Sequence, residues 1–138
     1  MDPRKTLINY HNMYNTKGKL LDFPPIDFNH FFDLFKEGQL FEGDWFDTTL
    51  SFLPYVGSDN FLFLRYEQVA TDQRGTVRNV ADFFGIHISE RQLDELVGGV
   101  QFDVVADWRL YFSNEKLQWY RRKYEQMMKG TDLETTYL

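Results

Sequence analysis

One short apolar run, Phe61-Leu62-Phe63-Leu64, constrains the fold of this chain more than any other feature. Its length, its aromatic content and the polar residues before it predict a strand buried on both faces, as in a parallel sheet, and we extend that strand to Tyr66. A single strand cannot pair its own backbone groups, so it needs neighbouring strands. Those neighbours are either weak in this sequence or absent from it.

Most of the remaining chain has apolar residues at helical spacing, which predicts about six helices. Pro3 suits the first turn of the first helix, and Gly18 can end it. The later helices are predicted to begin at side chains that can cap a helix, namely Asp27, Asp44, Asp72, Ser89 and Ser113. Ser89 with Gln92 matches a capping box.

The composition excludes several classes of protein. Hydrophobic residues make up 43% of the chain and Phe occurs 14 times, which is enough for a folded core. The formal net charge of −6 argues against broad nucleic-acid binding. The absence of Cys excludes disulfides and thiolate metal sites. No apolar run approaches the roughly 18 residues that span a bilayer, and we expect a cytoplasmic protein.

Several motifs follow one another along nearly the whole chain. They are MDPRKTLINYH from Met1, EGDWFD from Glu42, FLFLRYE from Phe61, VRNVADFFG from Val77, FDVV from Phe102, ADWRLYF from Ala106 and YEQMMKG from Tyr124. None is diagnostic alone. Their order resembles that of the cytosolic sulfotransferases.

The resemblance implies an α/β fold, namely the C-terminal part of the P-loop-type sulfotransferase fold, mostly helical with a remnant parallel sheet. Members transfer a sulfonate group from 3′-phosphoadenosine 5′-phosphosulfate, the donor cofactor, to a hydroxyl or amine of a small-molecule acceptor. A chain of this family is therefore expected to act on a small molecule rather than on nucleic acid or a membrane.

The resemblance also shows what this sequence lacks. The family's phosphate-binding loop, T-Y-P-K-S-G-T-T, and its catalytic His have no counterpart here. A further family segment, which ends in an R-K-G motif that binds the 3′-phosphate, is missing between residues 105 and 106. We therefore expect residues 1–138 to form a single incomplete sulfotransferase domain. Alone, it should have no catalytic residues, negligible cofactor affinity and no activity.

Three residues match cofactor-binding positions of the family. Asn9 occupies the position of a family Ser that binds the 3′-phosphate. Tyr66 matches a family Tyr that contacts the nucleotide, and Phe102 matches a family Phe near the adenine. The Arg that opens the first motif of the family is Met1 here. A strand-end Tyr and a loop Phe are also common core or rim residues, so a structural role stays open for Tyr66 and Phe102.

The acceptor side is predicted from the first helix. Tyr10, Met13 and Tyr14, with aromatic residues of the 23–35 stretch, are expected to line a substrate pocket. An alternative to an enzyme is a non-catalytic module that binds a small molecule or a protein through this pocket. The family's N-terminal half, which holds the phosphate-binding loop and the catalytic His, has no counterpart here. Its loss is expected to leave the stretch from Phe23 to Phe46 partly uncovered, unless the local helices collapse into a small core of their own.

The sequence predicts no metal site, because His11, His30 and His87 do not pair by spacing with other ligands. We interpret all three as structural or surface residues. The family's dimer motif, K-x-x-x-T-V-x-x-x-E, is degenerate here. Its positions hold Arg109, Ser113, Asn114 and Gln118, which predicts a weakened dimer.

Overall fold

The structure, a computed structural model, describes residues 1–41, 43–99 and 107–138. These residues form two compact units. The larger unit contains residues 2–41, 43–54 and 107–138, and the smaller unit contains Met1 and residues 55–99. Phe102 and the predicted deletion between residues 105 and 106 lie outside the described residues.

The described residues are mostly helical. Within them, α-helices α1 to α7 span Pro3–Lys17, Phe28–Lys36, Trp45–Phe52, Tyr66–Thr71, Gln73–Phe83, Glu90–Gly98 and Asn114–Met128. Shorter 3-10 helices span Gly18–Leu21, Leu53–Tyr55 and Trp108–Leu110. The larger unit holds α1, α2, α3 and α7, and the smaller unit holds α4, α5 and α6. In the part of the chain that the structure describes, no helix has the length and apolar character that crossing a membrane requires.

The predicted helix starts are confirmed. The side chains of Asp27, Asp44 and Ser113 each accept hydrogen bonds from backbone N–H groups in the first turn of α2, α3 and α7. Ser89 and Gln92 form the complete capping box of α6. Each cap satisfies donors that have no partner inside their own helix, which fixes where these helices begin.

The predicted strand from Phe61 to Tyr66 was wrong. Residues 61–65 have no regular secondary structure, and Tyr66 is the first residue of α4. The described ranges contain no β-strand, so the remnant parallel sheet of the predicted fold is not formed there. The physical reason is that an apolar run becomes a strand only when a neighbouring strand pairs with its backbone.

An aromatic core holds the larger unit together. Phe32 of α2 meets Trp119 of α7 edge-on at 5.4 Å between ring centroids, and Phe46 of α3 meets Tyr124 of α7 at 6.2 Å. Such edge-to-face pairs contribute about 0.5–1.5 kcal/mol each beyond the burial of their area. The buried members of this core are Leu7, Ile8, Phe31, Phe32, Phe35, Phe46, Phe112, Tyr120, Tyr124, Met128, Leu133 and Tyr137.

The Phe-rich stretch from Phe23 to Phe46 is only partly uncovered. Phe23 and Phe41 are 50% and 100% exposed, whereas Phe31, Phe32, Phe35 and Phe46 are buried. Helices α2 and α3 therefore use most of these rings to build a core with α7.

A buried cation joins distant segments of the larger unit. The Arg4 guanidinium lies 2.8 Å from the Asp2 carboxylate, and its Nη2 donates a hydrogen bond to the carbonyl oxygen of Tyr137 at 2.9 Å. The rings of Trp108 and Tyr120 pack against it, with centroids 4.2 and 4.7 Å from Cζ. Arg4 and Asp2 are each only 7% exposed. Because both charges are shielded from water, each depends on the other.

Two buried phenols fix the segment that follows α7. The Tyr120 hydroxyl donates a hydrogen bond to the carbonyl oxygen of Tyr137 at 2.7 Å, and the Tyr124 hydroxyl donates to that of Leu133. Burial raises the pKa of Tyr120, which keeps this hydroxyl a donor. The segment after α7 is thus part of the core.

Exposed ion pairs link two helices of the smaller unit. Arg78 and Arg74 of α5 lie 2.6 and 2.7 Å from the two carboxylate oxygens of Glu90 in α6, and Arg74 also pairs with Asp94. The hydrogen bond and the field of Arg78, and then the field of Arg74, hold the pKa of Glu90 below its usual range. All these side chains are exposed, and exposed ion pairs contribute little to stability.

Candidate functional site

A cavity of about 220 Å³ opens on the surface of the larger unit. Its walls come from α1, α2 and the loops beside α2. The lining residues are Tyr10, Met13, Tyr14, Ile26, Phe31, Leu34, Gln39, Leu40 and Phe41. All three residues predicted to bind substrate are therefore brought together in one cavity, although this placement does not test what they bind.

Helix α1 supplies the first wall through simple helical spacing. Tyr10, Met13 and Tyr14 stand three and four positions apart, so their side chains share one face of the helix. Tyr14 is packed between two rings, stacked on Phe23 at 6.1 Å and tilted against Phe31 at 6.0 Å. Met13 is 49% exposed and forms part of the rim.

The opposite wall depends on a turn at the end of α2. Gly38 has a φ of +66°, a backbone conformation that residues other than glycine rarely adopt. It reverses the chain shortly after α2 ends at Lys36. A Cβ atom there would also lie 3.4 Å from that of Asp44, the cap of α3. The turn carries Gln39, Leu40 and Phe41 back to the cavity that Leu34 already lines.

Ile26 reaches the cavity because its backbone is fixed to α1. The Asn15 side chain accepts a hydrogen bond from Ile26 N at 2.9 Å and donates one to Ile26 O at 3.0 Å. His11 Nε2 lies 2.8 Å from the same carbonyl oxygen. Nε2 also lies 2.9 Å from Asn15 Nδ2, so it either donates to the carbonyl oxygen or accepts from the amide, according to its tautomer. His11 thus holds the loop before α2.

The chemistry of the cavity is that of a site for a largely apolar molecule. Carbon-rich side chains form most of its wall, and its side-chain polar groups are the two phenols of Tyr10 and Tyr14 and the amide of Gln39. No ionised side chain lines it. The cavity therefore favours a neutral ligand with one or two polar groups.

The predicted cofactor residues fall in different units or outside the described residues. Asn9 is half-buried on α1 in the larger unit, whereas Tyr66 is half-buried at the start of α4 in the smaller unit. Phe102 lies outside the described residues. A shared cofactor site therefore stays a prediction. In the described ranges, no three His, Asp or Glu side chains are grouped in a way that could hold a metal ion.

Sequence reasoning missed the wall formed by Gln39, Leu40 and Phe41. It did expect aromatic residues of the 23–35 stretch, and Phe31 is one of them. The available signal was Gly38, because a glycine that ends a helix reverses the chain and returns the next residues toward that helix. Ile26 had no comparable signal, since its position depends on a contact with Asn15.

Comparison with known proteins gives a consistent result. A model of the sulfotransferase domain matches residues 1–105. Human sulfotransferase 2B1 is 24% identical over 158 aligned positions, which cover 94% of this chain and 43% of the relative. The Mus musculus protein of the same name and sulfotransferase 1C2 of Oryctolagus cuniculus are each 29% identical over 73% of this chain, and over 29% and 33% of their own lengths. The chain spans less than half the length of these relatives.

Solved structures show the same likeness at the level of the fold. The structure of mouse sulfotransferase SULT7A1 complexed with PAP matches with a TM-score of 0.81 and 19% identity, over 99% of this chain and 59% of that chain. Retinol dehydratase in complex with androsterone and inactive cofactor PAP matches with a TM-score of 0.78 and 23% identity, over 96% of this chain and 46% of that chain. The described residues therefore adopt part of a sulfotransferase fold.

Proposed function

This chain belongs to the sulfotransferase domain family, and we propose that its larger unit is the acceptor-binding part of such an enzyme. In a complete domain, a sulfonate group would pass from 3′-phosphoadenosine 5′-phosphosulfate to a hydroxyl or amine of a small molecule. The observation that carries the proposal is the cavity lined by Tyr10, Met13 and Tyr14. These are the residues that the family resemblance places on the acceptor side.

The wall of the cavity indicates what kind of acceptor it suits. A neutral molecule with an apolar ring can pack against Phe31 and Leu34, and a hydroxyl can exchange hydrogen bonds with the Tyr phenols or Gln39. The solved relative complexed with androsterone provides one example of such a small-molecule partner within the fold.

The donor cofactor is a second part of the proposal, and Asn9, Tyr66 and Phe102 are its proposed contacts. Both solved relatives were crystallised with PAP, which supports the same donor class here. The described residues do not fit a complete phosphate site. Of the two cations in the first motif, Arg4 is already held by Asp2 and the carbonyl oxygen of Tyr137, which leaves Lys5. We therefore propose that the isolated chain does not transfer sulfonate.

The proposed domain organisation is one incomplete sulfotransferase domain over residues 1–138 with a family segment missing between residues 105 and 106. Two findings support it. The family match ends at residue 105. The alignment with human sulfotransferase 2B1 spans 158 positions, although this chain has 138 residues, so part of the relative has no counterpart here.

A non-catalytic binding module is the second candidate function. The observation in its favour is that every wall of the cavity belongs to the larger unit. Binding at this cavity therefore needs no residue of the smaller unit. Under this reading the chain binds a small molecule and never completes a transfer reaction.

The degenerate dimer motif leads us to propose that the chain does not dimerise through it. Arg109 pairs with Asp107 at 3.1 Å, and Ser113 is engaged as the cap of α7. All four motif positions carry polar side chains that are exposed in this structure. They offer none of the buried apolar anchors on which small interfaces depend.

Calorimetric titration of the chain with 2-naphthol, a neutral phenol, tests acceptor binding. Met13→Asp places a charge in the cavity rim and should weaken binding at least about tenfold, because the ion would have to be desolvated or excluded. Leu20→Asp is the matched control, since Leu20 is 84% exposed and does not line the cavity. Absence of binding by the unmodified chain, or equal losses in both variants, would contradict the proposal.

Incubation of the chain with labelled donor and a panel of phenols, alcohols and amines tests the inactivity of the isolated chain. Protein-dependent turnover above background would overturn that part. A melt with adenosine 3′,5′-bisphosphate separates the two candidates further, because a raised Tm would show that cofactor binding survives.

A further inference from the structure

A second cavity of about 200 Å³ lies between α2 and α7, on a part of the larger unit that the proposed function does not use. Its character differs from that of the first cavity, because charged side chains dominate its wall. The lining residues are Asn29, Phe32, Asp33, Lys36, Glu115, Lys116, Trp119 and Arg122. None of them lines the apolar cavity beside α1.

Helix α7 presents a regular series of groups to this cavity. Lys116, Trp119 and Arg122 follow one another at intervals of three residues, so a cation, an indole and a second cation line one edge of the helix. Trp119 is half-buried and is held edge-on against Phe32, which fixes the orientation of its ring. The indole therefore offers a fixed aromatic surface between two positive charges.

The cavity has an excess of positive charge, although the chain as a whole is acidic. Lys36 is neutralised by Asp33, whose carboxylate lies 2.7 Å from Nζ. Lys116 donates its hydrogen bond at 2.7 Å to the amide of Asn29, which is neutral. Within the described residues, the side chain of Arg122 forms no ion pair or hydrogen bond. With Glu115 as the remaining acid, the lining keeps net positive charge.

The pKa of Asp33 reflects this positive charge. The pKa of its carboxyl is held below the usual range, first by the hydrogen bond from Lys36, and also by the fields of His30 and Lys116. The Lys36 and Lys116 ammonium groups lie 5.6 and 5.5 Å from the Phe32 ring centroid. An anion that enters the cavity therefore meets positive charge and an aromatic ring at once.

We propose that this α2–α7 cavity is a binding site for small aromatic anions, separate from the acceptor cavity. The ligand's ring packs on Trp119, and its single carboxylate, sulfate or sulfonate group lies between Lys116 and Arg122. Charged hydrogen bonds to both cations hold the anion, and the aromatic contact selects ring-bearing anions over simple inorganic ones.

Calorimetric titration of the full chain with 2-naphthalenesulfonate tests the proposal. We expect saturable one-site binding that weakens as salt is raised. Lys116→Gln and Arg122→Gln should each weaken it about tenfold or more, because each removes one charged hydrogen bond. Arg121→Gln is the matched control, since it removes the same charge from an exposed neighbour outside the cavity and should change the affinity less than about twofold.

Two comparisons separate this site from the acceptor cavity. 2-Naphthol, which lacks the charge, should bind with unchanged affinity to Arg122→Gln, and Met13→Asp should leave sulfonate binding intact. Failure of the chain to bind the sulfonate would overturn the proposal. So would a loss with Arg121→Gln as large as that with Arg122→Gln, or loss of sulfonate binding in Met13→Asp.

Discussion

The larger and smaller units share one chain but rely on different forces. The larger unit buries rings and aliphatic groups of four helices, including Phe32, Phe46 and Tyr124. In the smaller unit, Ala81 and Leu93 are the buried apolar residues among those described, while Phe84, Ile86 and Leu96 are each more than half exposed. Its helices α5 and α6 are instead joined by exposed ion pairs.

The contrast extends to the apolar run 61–64 of the smaller unit. The sequence favours this run as a strand, and it has no strand neighbour in the described residues. A sheet would cover apolar surface that these helices leave open. The larger unit needs no sheet, because its helices cover one another. We therefore infer that the smaller unit is the region whose stability depends on a further part of a sulfotransferase domain.

Paired deletions of a phenylalanine ring in each unit should give the largest effect. Phe46 is 1% exposed and Phe84 is 67% exposed. Phe46→Ala should lower the free energy of unfolding by about 3–5 kcal/mol, because it leaves a cavity in the core. Phe84→Ala should change it by about 0.5 kcal/mol or less. Urea unfolding followed by far-ultraviolet circular dichroism, which reports the helices of both units, measures the difference. Equal losses in the free energy of unfolding for the two variants would contradict the idea that buried rings stabilise only the larger unit.

The buried ion pair of the larger unit should give the next largest effect. Arg4→Met removes the guanidinium that faces the buried Asp2 carboxylate, and it should destabilise the larger unit by about 3 kcal/mol. The effect is limited because the backbone N–H at position 4 still donates to that carboxylate. Arg91→Met in the smaller unit breaks an exposed pair with Glu95 and should change little.

Adding Asp2→Asn to Arg4→Met provides the internal check, measured by the same urea unfolding. The double variant should recover part of the lost stability, because it removes the buried negative charge that Arg4 no longer balances. A double variant no more stable than Arg4→Met would mean that the aromatic packing of Arg4, rather than its charge, is what matters.

Loss of the Glu90 charge on acidification should give the smallest effect, at helices α5 and α6 of the smaller unit. The folded-state pKa of Glu90 lies below its ordinary 4.5, so its contribution is present above that value and is lost as pH falls through the lowered pKa. Hydrogen exchange of α5 and α6 should then rise. Glu90→Gln should show the raised exchange already at neutral pH. Identical acid responses of both proteins would rule out this origin.

Local rules predicted the parts of this fold that local contacts decide. Asp27, Asp44 and Ser113 cap helices because each side chain meets backbone groups two or three residues away. The strand at 61–66 was predicted by the same kind of rule and was wrong, because strand pairing depends on a distant partner.

The candidate site shows the same difference between features set by local spacing and features set by distant partners. Tyr10, Met13 and Tyr14 share a helix face by spacing alone, and they line one cavity, while their role in substrate binding stays a prediction. The burial of Arg4 was beyond prediction, because its partner Tyr137 contributes a backbone carbonyl that has no signature in the sequence.

The hydrogen bond between Arg4 and the Tyr137 carbonyl oxygen sets an order for events during synthesis. These residues are 133 positions apart, so the first helix cannot reach its final environment until position 137 has been translated. At about 5–20 residues per second, residues 2–54 wait on the order of ten seconds beside the ribosome. Throughout that interval the rings of α2 and α3 lack α7, so apolar surface that the finished chain buries is open to unwanted association.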